Sequence, residues 1–184
     1  MALFTGKGDG GTTKTFGCDQ RISKSSAIAE ALGTLDEVNS FLGLCKEKSK
    51  TAGFSLGEKT FAQIVHDTQK NLFIVQAELA GAEKLITEEK LREAEALVNA
   101  IEKELPPIKS FFISGGTELA ATFDFARTLA RRAERRVVAV HEEGTRKVGD
   151  WTRAYLNRLS SVLYALARLS NFKSGITEES PDYR

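Results

Sequence analysis

The amino-acid sequence predicts an all-α protein, a five-helix up-and-down bundle preceded by an irregular, glycine-rich N-terminal segment. Three observations carry this prediction. No segment of useful length alternates apolar and polar residues with a period of two, as a half-buried strand would. Apolar residues instead recur three and four positions apart in five separate stretches. Prolines are few, 3 among 184 residues, so long stretches can be helical without interruption.

Each predicted helix has an apolar stripe, and most have a start or stop signal. The first follows Ser25-Ser26, whose hydroxyls can cap a helix start. The third begins after Thr87 and ends before Pro106-Pro107. The fourth is entered from Gly115-Gly116 and ends at the corner formed by residues 142–144. The five stripes are, in order, Ile28, Ala31, Leu32, Leu35, Val38 and Leu42; Phe61, Ile64, Val65, Thr68, Leu72, Val75 and Leu79; Leu91, Ala94, Leu97, Val98 and Ile101; Phe123, Ala126, Leu129, Ala130, Ala133, Val137 and Val140; and Val148, Trp151, Tyr155, Leu159, Val162, Leu166 and Leu169.

Length and composition predict a single domain. A chain of 184 residues, 41% of them hydrophobic, can bury one sizeable core. The sequence shows no internal repeat and no linker long enough to divide it. We therefore expect residues 1–184 to form one domain, with an N-terminal segment at 1–24, a helical bundle at 25–171 and a tail at 172–184.

Charge and cysteine content exclude several classes of protein. The formal net charge is +1, so no overall basic field predicts binding to nucleic acid or to an acidic membrane surface. The two cysteines cannot form a disulfide framework, and no apolar run resembles a signal peptide or spans a bilayer. The sequence thus predicts a cytoplasmic protein whose anion sites, if any, are local.

A row of charges lies along one face of the fourth predicted helix, within residues 127–135. At about 100° per residue, Arg127, Arg131, Glu134 and Arg135 fall within one quadrant, away from the apolar stripe. The planar guanidinium donates to phosphate or carboxylate oxygens two at a time. The row therefore predicts a site for an anionic ligand or an acidic partner helix. The alternative is a solvated face with intrahelical ion pairs.

The glycine-rich segment at residues 5–13 is the second informative feature. Glycines let backbone N–H groups turn towards an anion, and threonine hydroxyls add further donors, as in phosphate-binding loops. The match to G-x-G-x-x-G is false, because no strand can precede it and no helix opens directly after it. The Walker A pattern also fails, since no Gly-Lys-Ser/Thr closes the loop. An unstructured terminus is the alternative, but Arg21 and Lys24 add anion donors that lead into the first helix.

The usual catalytic groups are missing as a set. No Ser/His/Asp order, His-Glu-x-x-His motif or Cys/His ligand spacing is present. The two histidines predict no site: we expect His66 to be partly buried beside an apolar stripe and His141 to be exposed. If the protein is an enzyme, its reactive group is expected to arrive with a cofactor or a substrate.

Two polar residues on other helices are further candidates. Asp36 lies at the border of the first apolar stripe, next to Asn39, and a carboxylate at a core margin is usually paired. Arg127 is its candidate partner. Asn157 lies on the polar face of the fifth helix despite its poor helix propensity. For both candidates the alternative is an exposed side chain without a function.

Taken in order, these motifs resemble the PduO-type ATP:cob(I)alamin adenosyltransferases. The resemblance covers nearly the whole chain, and its last two motifs together are specific. Gly10 stands where the family commonly has lysine, and Ser114 where it commonly has proline. The matching segments are residues 5–13, Arg21-Ile-Ser-Lys24, Gly33-Thr-Leu-Asp36-Glu-Val-Asn39-Ser40, residues 111–116, residues 127–135 and Tyr155-Leu-Asn157-Arg-Leu-Ser160.

The resemblance implies a fold, an assembly and a reaction. It implies a five-helix bundle that forms a trimer, with ATP between neighbouring subunits and the segment 1–24 wrapping the nucleotide. The cobalt of reduced cobalamin would attack the 5′ carbon of ATP and give adenosylcobalamin and triphosphate, which would account for the missing protein nucleophile. As partners it implies a flavin-type reductase and an adenosylcobalamin-dependent enzyme, with neither nucleic acid nor membrane.

The resemblance also implies roles for individual residues. Asp36 paired with Arg127 would hold the corrin side of the site. Phe111 would press on the lower face of the corrin and expel the axial ligand, which makes reduction of Co(II) to Co(I) easier. Glu134 would contact Mg²⁺. The expected contacts to ATP are Thr5, Gly6, Lys7, Gly8, Asp9, Gly11, Thr12, Thr13, Lys24, Arg131, Arg132, Glu134, Arg135 and Asn157.

Two other functions remain open from the sequence. The first is a nucleotide- or cobalamin-binding bundle without catalysis, which the departures at Gly10 and Ser114 permit. The second is an unrelated helical NTPase or kinase that uses the glycine-rich segment for phosphoryl transfer. The products distinguish these functions, because phosphoryl transfer releases phosphate or ADP whereas adenosyl transfer releases intact triphosphate.

Overall fold

The computed structural model describes residues 3–16 and 20–183, and this part of the chain folds into five long helices. They are α1 (Ala27–Ala52), α2 (Phe61–Ala80), α3 (Glu88–Glu104), α4 (Glu118–Glu142) and α5 (Asp150–Lys173). The predicted five-helix, all-α architecture is confirmed. Cys18 lies outside the described residues. Within the part that is described, no helix has both the length and the apolar character needed to cross a membrane.

Two short antiparallel strand pairs accompany the helices. β1 (Thr12–Thr13) pairs with β2 (Ile22–Ser23), and β3 (Ser55–Leu56) pairs with β4 (Lys59–Thr60). The sequence did not predict them, because a strand of two residues is too short to show alternation. The first pair joins residues 12–13 to residues 22–23, close to the start of α1.

Side-chain caps explain why four of the helices begin where they do. The hydroxyl of Ser26 accepts the N–H of Ala29 at the start of α1, as the Ser25-Ser26 pair predicts. Thr60 forms a reciprocal capping box at the start of α2. The hydroxyls of Thr87 and Thr117 accept the N–H of Lys90 and of Ala120 at the starts of α3 and α4.

The start of α5 is held by a carboxylate from another helix. Gly149 precedes α5 and offers no side chain as a cap. Glu78 of α2, only 5% exposed, accepts the N–H of Gly149 at 2.7 Å and the hydroxyl of Thr152 at 2.5 Å. A negative charge is favourable at a helix N-terminus, so Glu78 joins the end of α2 to the beginning of α5.

The core is formed by the predicted stripes. α4 packs against both α1 and α5, while α2 packs against α1 and α3 packs against α5. Every predicted stripe residue of α4 is buried. Its other faces are therefore free to carry charged residues, and these define the candidate site.

Three expectations about single side chains are wrong. Trp151 of the fifth stripe is 45% exposed, because it lies in the first turn of α5 beyond the packed core. His66 is exposed, whereas His141 is partly buried. The chain after α4 folds back so that Nδ1 of His141 accepts the N–H of Val148 at 3.1 Å. This contact depends on the path of the loop after α4, so the spacing of apolar residues along the helix could not predict it.

The residues after α5 run back along the connection between α3 and α4. The N–H of Ile113 donates to the carbonyl of Glu179 at 2.8 Å, and the hydroxyls of Ser110 and Ser180 lie 2.6 Å apart. The helix itself continues to Lys173, two residues beyond the expected end of the bundle at 171. The expected tail is therefore part of the packing around this connection.

Candidate functional site

A cavity of about 620 Å³ lies where the α3–α4 connection approaches α4 and α5. α4 contributes Arg127 and Arg131, α5 contributes Tyr164, and the connection contributes Phe111. Phe111 is 80% exposed, so its ring contributes little to the folding of this chain and is available to a ligand. The structure thus brings Phe111 and Arg127, which the resemblance places at the corrin side, to one cavity.

A second cavity, of about 290 Å³, continues along the same face of α4. Arg131 lines both cavities, which makes them adjoining parts of one groove. Glu134, Arg135 and Asn157 line the second cavity, and the amide nitrogen of Asn157 donates to Oε1 of Glu134 at 2.8 Å. The predicted charged row of α4 therefore lies on one face, and Asn157 of α5 meets it there.

The other two arginines of this part of α4 point towards α1. Arg132 pairs with Glu37, and Nε of Arg136 lies 3.6 Å from Glu30. Arg132 is one residue, or about 100°, from Arg131 along the helix. Within one chain the structure does not bring Arg132 into the groove that holds Arg131, although both are expected ATP contacts.

Asp36 and Arg127 do not pair within a single chain. Asp36 is exposed on α1. Arg127 points to the other side of α4, where its Nε lies 3.8 Å from Oδ1 of Asp124 and its guanidinium carbon lies 5.9 Å from the ring centroid of Tyr164. Across residues 3–16 and 20–183 of one chain, no ion pair joins Asp36 to Arg127. A pair between two copies of the chain stays a prediction.

Arg21 holds the glycine-rich segment in a folded loop. Its Nε donates to the hydroxyl of Thr12 at 2.7 Å, and its Nη2 donates to the carbonyls of Lys7 and Thr12 at 2.6 and 2.7 Å. Gly6 and Gly11 have φ values of 66° and 74°, which favour glycine. The segment is thus folded, contrary to the alternative of an unstructured terminus. Arg21, expected as an anion donor, is used to hold this loop.

Lys24 lies against the same loop. Its N–H donates to the carbonyl of Gly11 at 2.9 Å, and its ammonium would lie 3.0 Å from a Cβ placed on Gly8. The absence of a side chain at Gly8 therefore makes room for Lys24. Among the described residues, no hydrogen bond or ion pair joins residues 5–13 to the charged row of their own α4.

Three residues that the sequence analysis did not select hold the α3–α4 connection in place. Asp124 is 8% exposed and accepts the N–H of Gly115 at 3.1 Å. Asn171 of α5 donates to the carbonyl of Gly115 at 2.8 Å. Arg168, 4% exposed, donates to the carbonyl of Pro106 in the connection at 3.3 Å and to Glu178 at 2.8 Å. A sequence signal existed for Asp124, which is a carboxylate directly beside Phe123 on the apolar side of α4.

The described residues contain neither a protein metal centre nor an activated thiol. No three His, Cys, Asp or Glu side chains lie together as a metal site in the described ranges. Cys45 is fully buried, and burial raises the pKa of its thiol to about 12. The thiolate is therefore not formed near neutral pH. The arginines that line the groove can bind and orient anions.

Comparison with known proteins gives matches over almost the whole chain. Residues 3–170 match the family model described as cobalamin adenosyltransferase. The chain is 40% identical over 175 residues to the corrinoid adenosyltransferase PduO of Citrobacter freundii. The aligned region covers 91% of this chain and 49% of that protein. The chain thus spans about half the length of this relative.

A second relative is of similar length, and a solved structure has the same fold. The corrinoid adenosyltransferase of Bacillus subtilis (strain 168) is 38% identical over 181 residues, which are 96% of this chain and 90% of that protein. A variant PduO-type ATP:corrinoid adenosyltransferase from Lactobacillus reuteri, complexed with cobalamin and ATP, superposes with a TM-score of 0.87 at 26% identity, covering 98% of this chain and 99% of that one. Because the family model matches almost the whole described bundle, the chain belongs to the cobalamin adenosyltransferase family.

Proposed function

We propose that the protein transfers the 5′-deoxyadenosyl group of ATP to cob(I)alamin and releases triphosphate. The observation that carries this proposal is the groove between α4 and α5, which combines a row of arginines with the exposed ring of Phe111 at one end. A triphosphate needs the first feature and the flat corrin needs the second. The relative from Lactobacillus reuteri is complexed with both of these ligands, which supports the same pair here.

The proposed reaction asks little acid–base chemistry of the protein. Cobalt(I) attacks the 5′ carbon of ATP, the bond between this carbon and the phosphate oxygen breaks, and its electron pair leaves with the triphosphate. No proton has to be removed from the carbon. The negative charge that grows on the leaving oxygen is stabilised by the guanidiniums of Arg131 and Arg135. The absence of an activated thiol at Cys45 agrees with this division of roles.

Glu134 fits the role of a magnesium contact. Magnesium in nucleotide sites is usually held by one or two carboxylates together with phosphate oxygens. Glu134 supplies one carboxylate in the smaller cavity, and Asn157 fixes its orientation by donating to Oε1. When bound, the ion would neutralise part of the triphosphate charge. In this arrangement Asn157 acts on the nucleotide site through the carboxylate of Glu134.

We also propose that the site is completed between copies of the chain in a trimer. The glycine-rich loop does not reach the charged row of its own chain, while Phe4 and Phe16 on either side of it are 85% and 68% exposed. On the α1–α4 face, Phe125 is 54% exposed and its ring contacts Phe41 with centroids 5.0 Å apart. Exposed aromatic residues of this kind support burial against a second copy. Asp36 is exposed on α1 and would be free to meet Arg127 of a neighbour.

Two partners follow from the chemistry of the proposed reaction. Cobalamin has to be reduced to Co(I) before it can attack, so a one-electron donor such as a flavin-type reductase is required. Adenosylcobalamin is a cofactor, so an adenosylcobalamin-dependent enzyme is the expected acceptor of the product.

The proposal is tested by supplying ATP, magnesium and chemically reduced cobalamin to the purified protein. We expect the absorbance of adenosylcobalamin to appear and intact triphosphate to accumulate in equal amount. A binding protein without catalysis would take up both ligands with no spectral conversion. An NTPase or kinase would release phosphate or ADP instead. Sedimentation of the same sample decides whether the protein is a trimer.

Replacing Gly8 by alanine is expected to weaken the use of ATP. The new Cβ would lie 3.0 Å from the ammonium of Lys24 and 3.4 Å from the carbonyl of Thr12, so the lysine has to move away from the loop. We expect KM for ATP to rise about threefold to tenfold, the cost of one displaced charged contact. Gly10→Ala is the matched control, because nothing lies within 4 Å of a Cβ at that position. Equal KM values for the two variants would contradict a role of Lys24 at the phosphates.

A further inference from the structure

One buried carboxylate joins the connection that carries Phe111 to the first arginine of the charged row. Oδ2 of Asp124 accepts the N–H of Gly115 at 3.1 Å, and its Oδ1 lies 3.8 Å from Nε of Arg127. Ser114, directly before Gly115, also acts to lower the pKa of this carboxyl group. Asp124 is 8% exposed, so these contacts are shielded from water and stronger than surface contacts.

Asp124 acts on a point of the connection that is held from both sides. It holds the N–H of Gly115, while the amide nitrogen of Asn171 donates to the carbonyl of the same residue at 2.8 Å. Gly115 has a φ of 125°, a conformation that residues with side chains rarely adopt. Phe111 lies four residues before this anchored glycine. The position of its ring therefore depends on a peptide that Asp124 helps to hold.

Asp124 also supplies the nearest negative charge to Arg127. In residues 3–16 and 20–183, no other ion pair involves this arginine, and its Nε is buried without a hydrogen-bond partner. Its guanidinium lies 5.9 Å from the ring centroid of Tyr164 in the wall of the larger cavity. Without the carboxylate, the attraction that holds this guanidinium on its own side of the cavity would be lost.

We propose that Asp124 is a positioning residue for cobalamin, which places Phe111 and Arg127 for the same ligand through two oxygens of one side chain. The inference rests on the proposed function and deepens it, because it assigns a residue to the corrin end of the groove. Asp124 does not line the larger cavity itself. It acts through Gly115 and Arg127, and the ATP end of the groove is outside its reach.

Burial works against the charged form of Asp124 in the folded protein. Burial raises the pKa of Asp124, although the N–H of Gly115, Arg127 and Ser114 each act to lower it. A carboxyl whose pKa is higher in the folded state stabilises most below its unfolded-state pKa and loses this contribution as the pH rises through the folded-state value. At neutral pH the ionised form therefore costs stability, and an uncharged amide of the same shape is expected to fold at least as stably.

Asp124→Asn separates the two roles of the side chain. The amide oxygen can still accept the N–H of Gly115, but the charge beside Arg127 is gone. We expect KM for cobalamin to rise about tenfold, the effect of one charge-assisted contact, while KM for ATP changes less than about twofold. We also expect a smaller fraction of bound cob(II)alamin to lose its axial base, which its absorbance reports. The thermal midpoint should not fall.

Glu78→Gln is the matched control, since Glu78 is also a buried carboxylate that accepts the N–H of a glycine. Glu78 is on α2 and contacts the start of α5, far from the connection that Asp124 holds. Because the charge at this helix start would be lost, we expect a lower thermal midpoint with both KM values unchanged. Ser114→Ala is a second test on the exposed connection and should raise KM for cobalamin about threefold even if Asp124→Asn does not fold.

The outcomes separate the inference from the proposed function. An active wild-type protein with an unchanged KM for cobalamin in Asp124→Asn, or in Ser114→Ala if the first variant is unfolded, overturns the inference alone. Equal increases in both KM values also overturn it, because they indicate a general structural effect. A wild-type protein that forms no adenosylcobalamin overturns the proposed function itself.

Discussion

Arg131→Ala is expected to lower kcat/KM for ATP by about a hundredfold or more while leaving the fold intact. Arg131 lines both cavities of the groove, whereas Arg127 lines only the larger cavity and Arg135 only the smaller one. Neither of these arginines is therefore placed to replace it. Removing one donor that stabilises a developing negative charge typically costs a factor of about 10² to 10³. Arg131 is exposed, and its removal leaves no buried polar group unpaired. The rate of adenosylcobalamin formation at varied ATP measures the loss, and circular dichroism checks the fold.

Arg92→Ala is the control for this variant. Arg92 is also an arginine on the surface of a helix, 73% exposed and paired with Glu88 one turn away on α3. An exposed pair of this kind contributes little to stability, and the residue lies outside both cavities. We expect its kinetics to equal those of the wild type. If Arg131→Ala behaves like Arg92→Ala, the assignment of the groove to ATP is wrong.

Phe111→Ala is expected to affect the reduction of cobalt far more than the transfer of the adenosyl group. If the ring expels the axial ligand, its loss leaves Co(II) harder to reduce, whereas Co(I) supplied from a chemical reductant needs no such help. We expect the rate with cob(II)alamin and a reduced flavin to fall about a hundredfold, and the rate with chemically prepared cob(I)alamin to fall less than about threefold. The ring is 80% exposed, so the thermal midpoint should hardly change.

The control for the aromatic ring is Phe73→Ala on α2. Phe73 is 62% exposed and lies outside the groove, so it matches Phe111 in residue type and exposure. We expect it to leave both rates unchanged. Equal losses with cob(II)alamin and cob(I)alamin in Phe111→Ala would show that the ring acts in binding alone, and would contradict its role at the axial ligand.

The helices were predictable because their signals are local. A helical stripe and its cap lie within one or two turns of each other, so Ser26 and Thr87 act on their own helices whatever surrounds them. The charged face of α4 follows from the same reasoning, since residues three and four apart share a side of any helix. The structure accordingly places Arg131, Glu134 and Arg135 in one cavity.

The polar contacts between elements were not predictable in the same way. Arg21 was expected to donate to an anion, but three of its hydrogen bonds hold the glycine-rich loop. Arg132 was expected to contact ATP, but within one chain it pairs with Glu37 of α1. Which of several carboxylates an arginine reaches depends on how helices are rotated against each other, and this information is not in the sequence of either helix.

The sequence by itself determined the five helices, their buried faces and the line of charges on α4, because these depend on spacings within single segments. Only the tertiary structure decided that Asp124, Asn171 and Arg168 hold the connection carrying Phe111. It also decided that the residues after α5 pack along this connection. These contacts join groups up to 70 positions apart in the chain, as in the pair Ser110 and Ser180, so they exist only after the helices have packed.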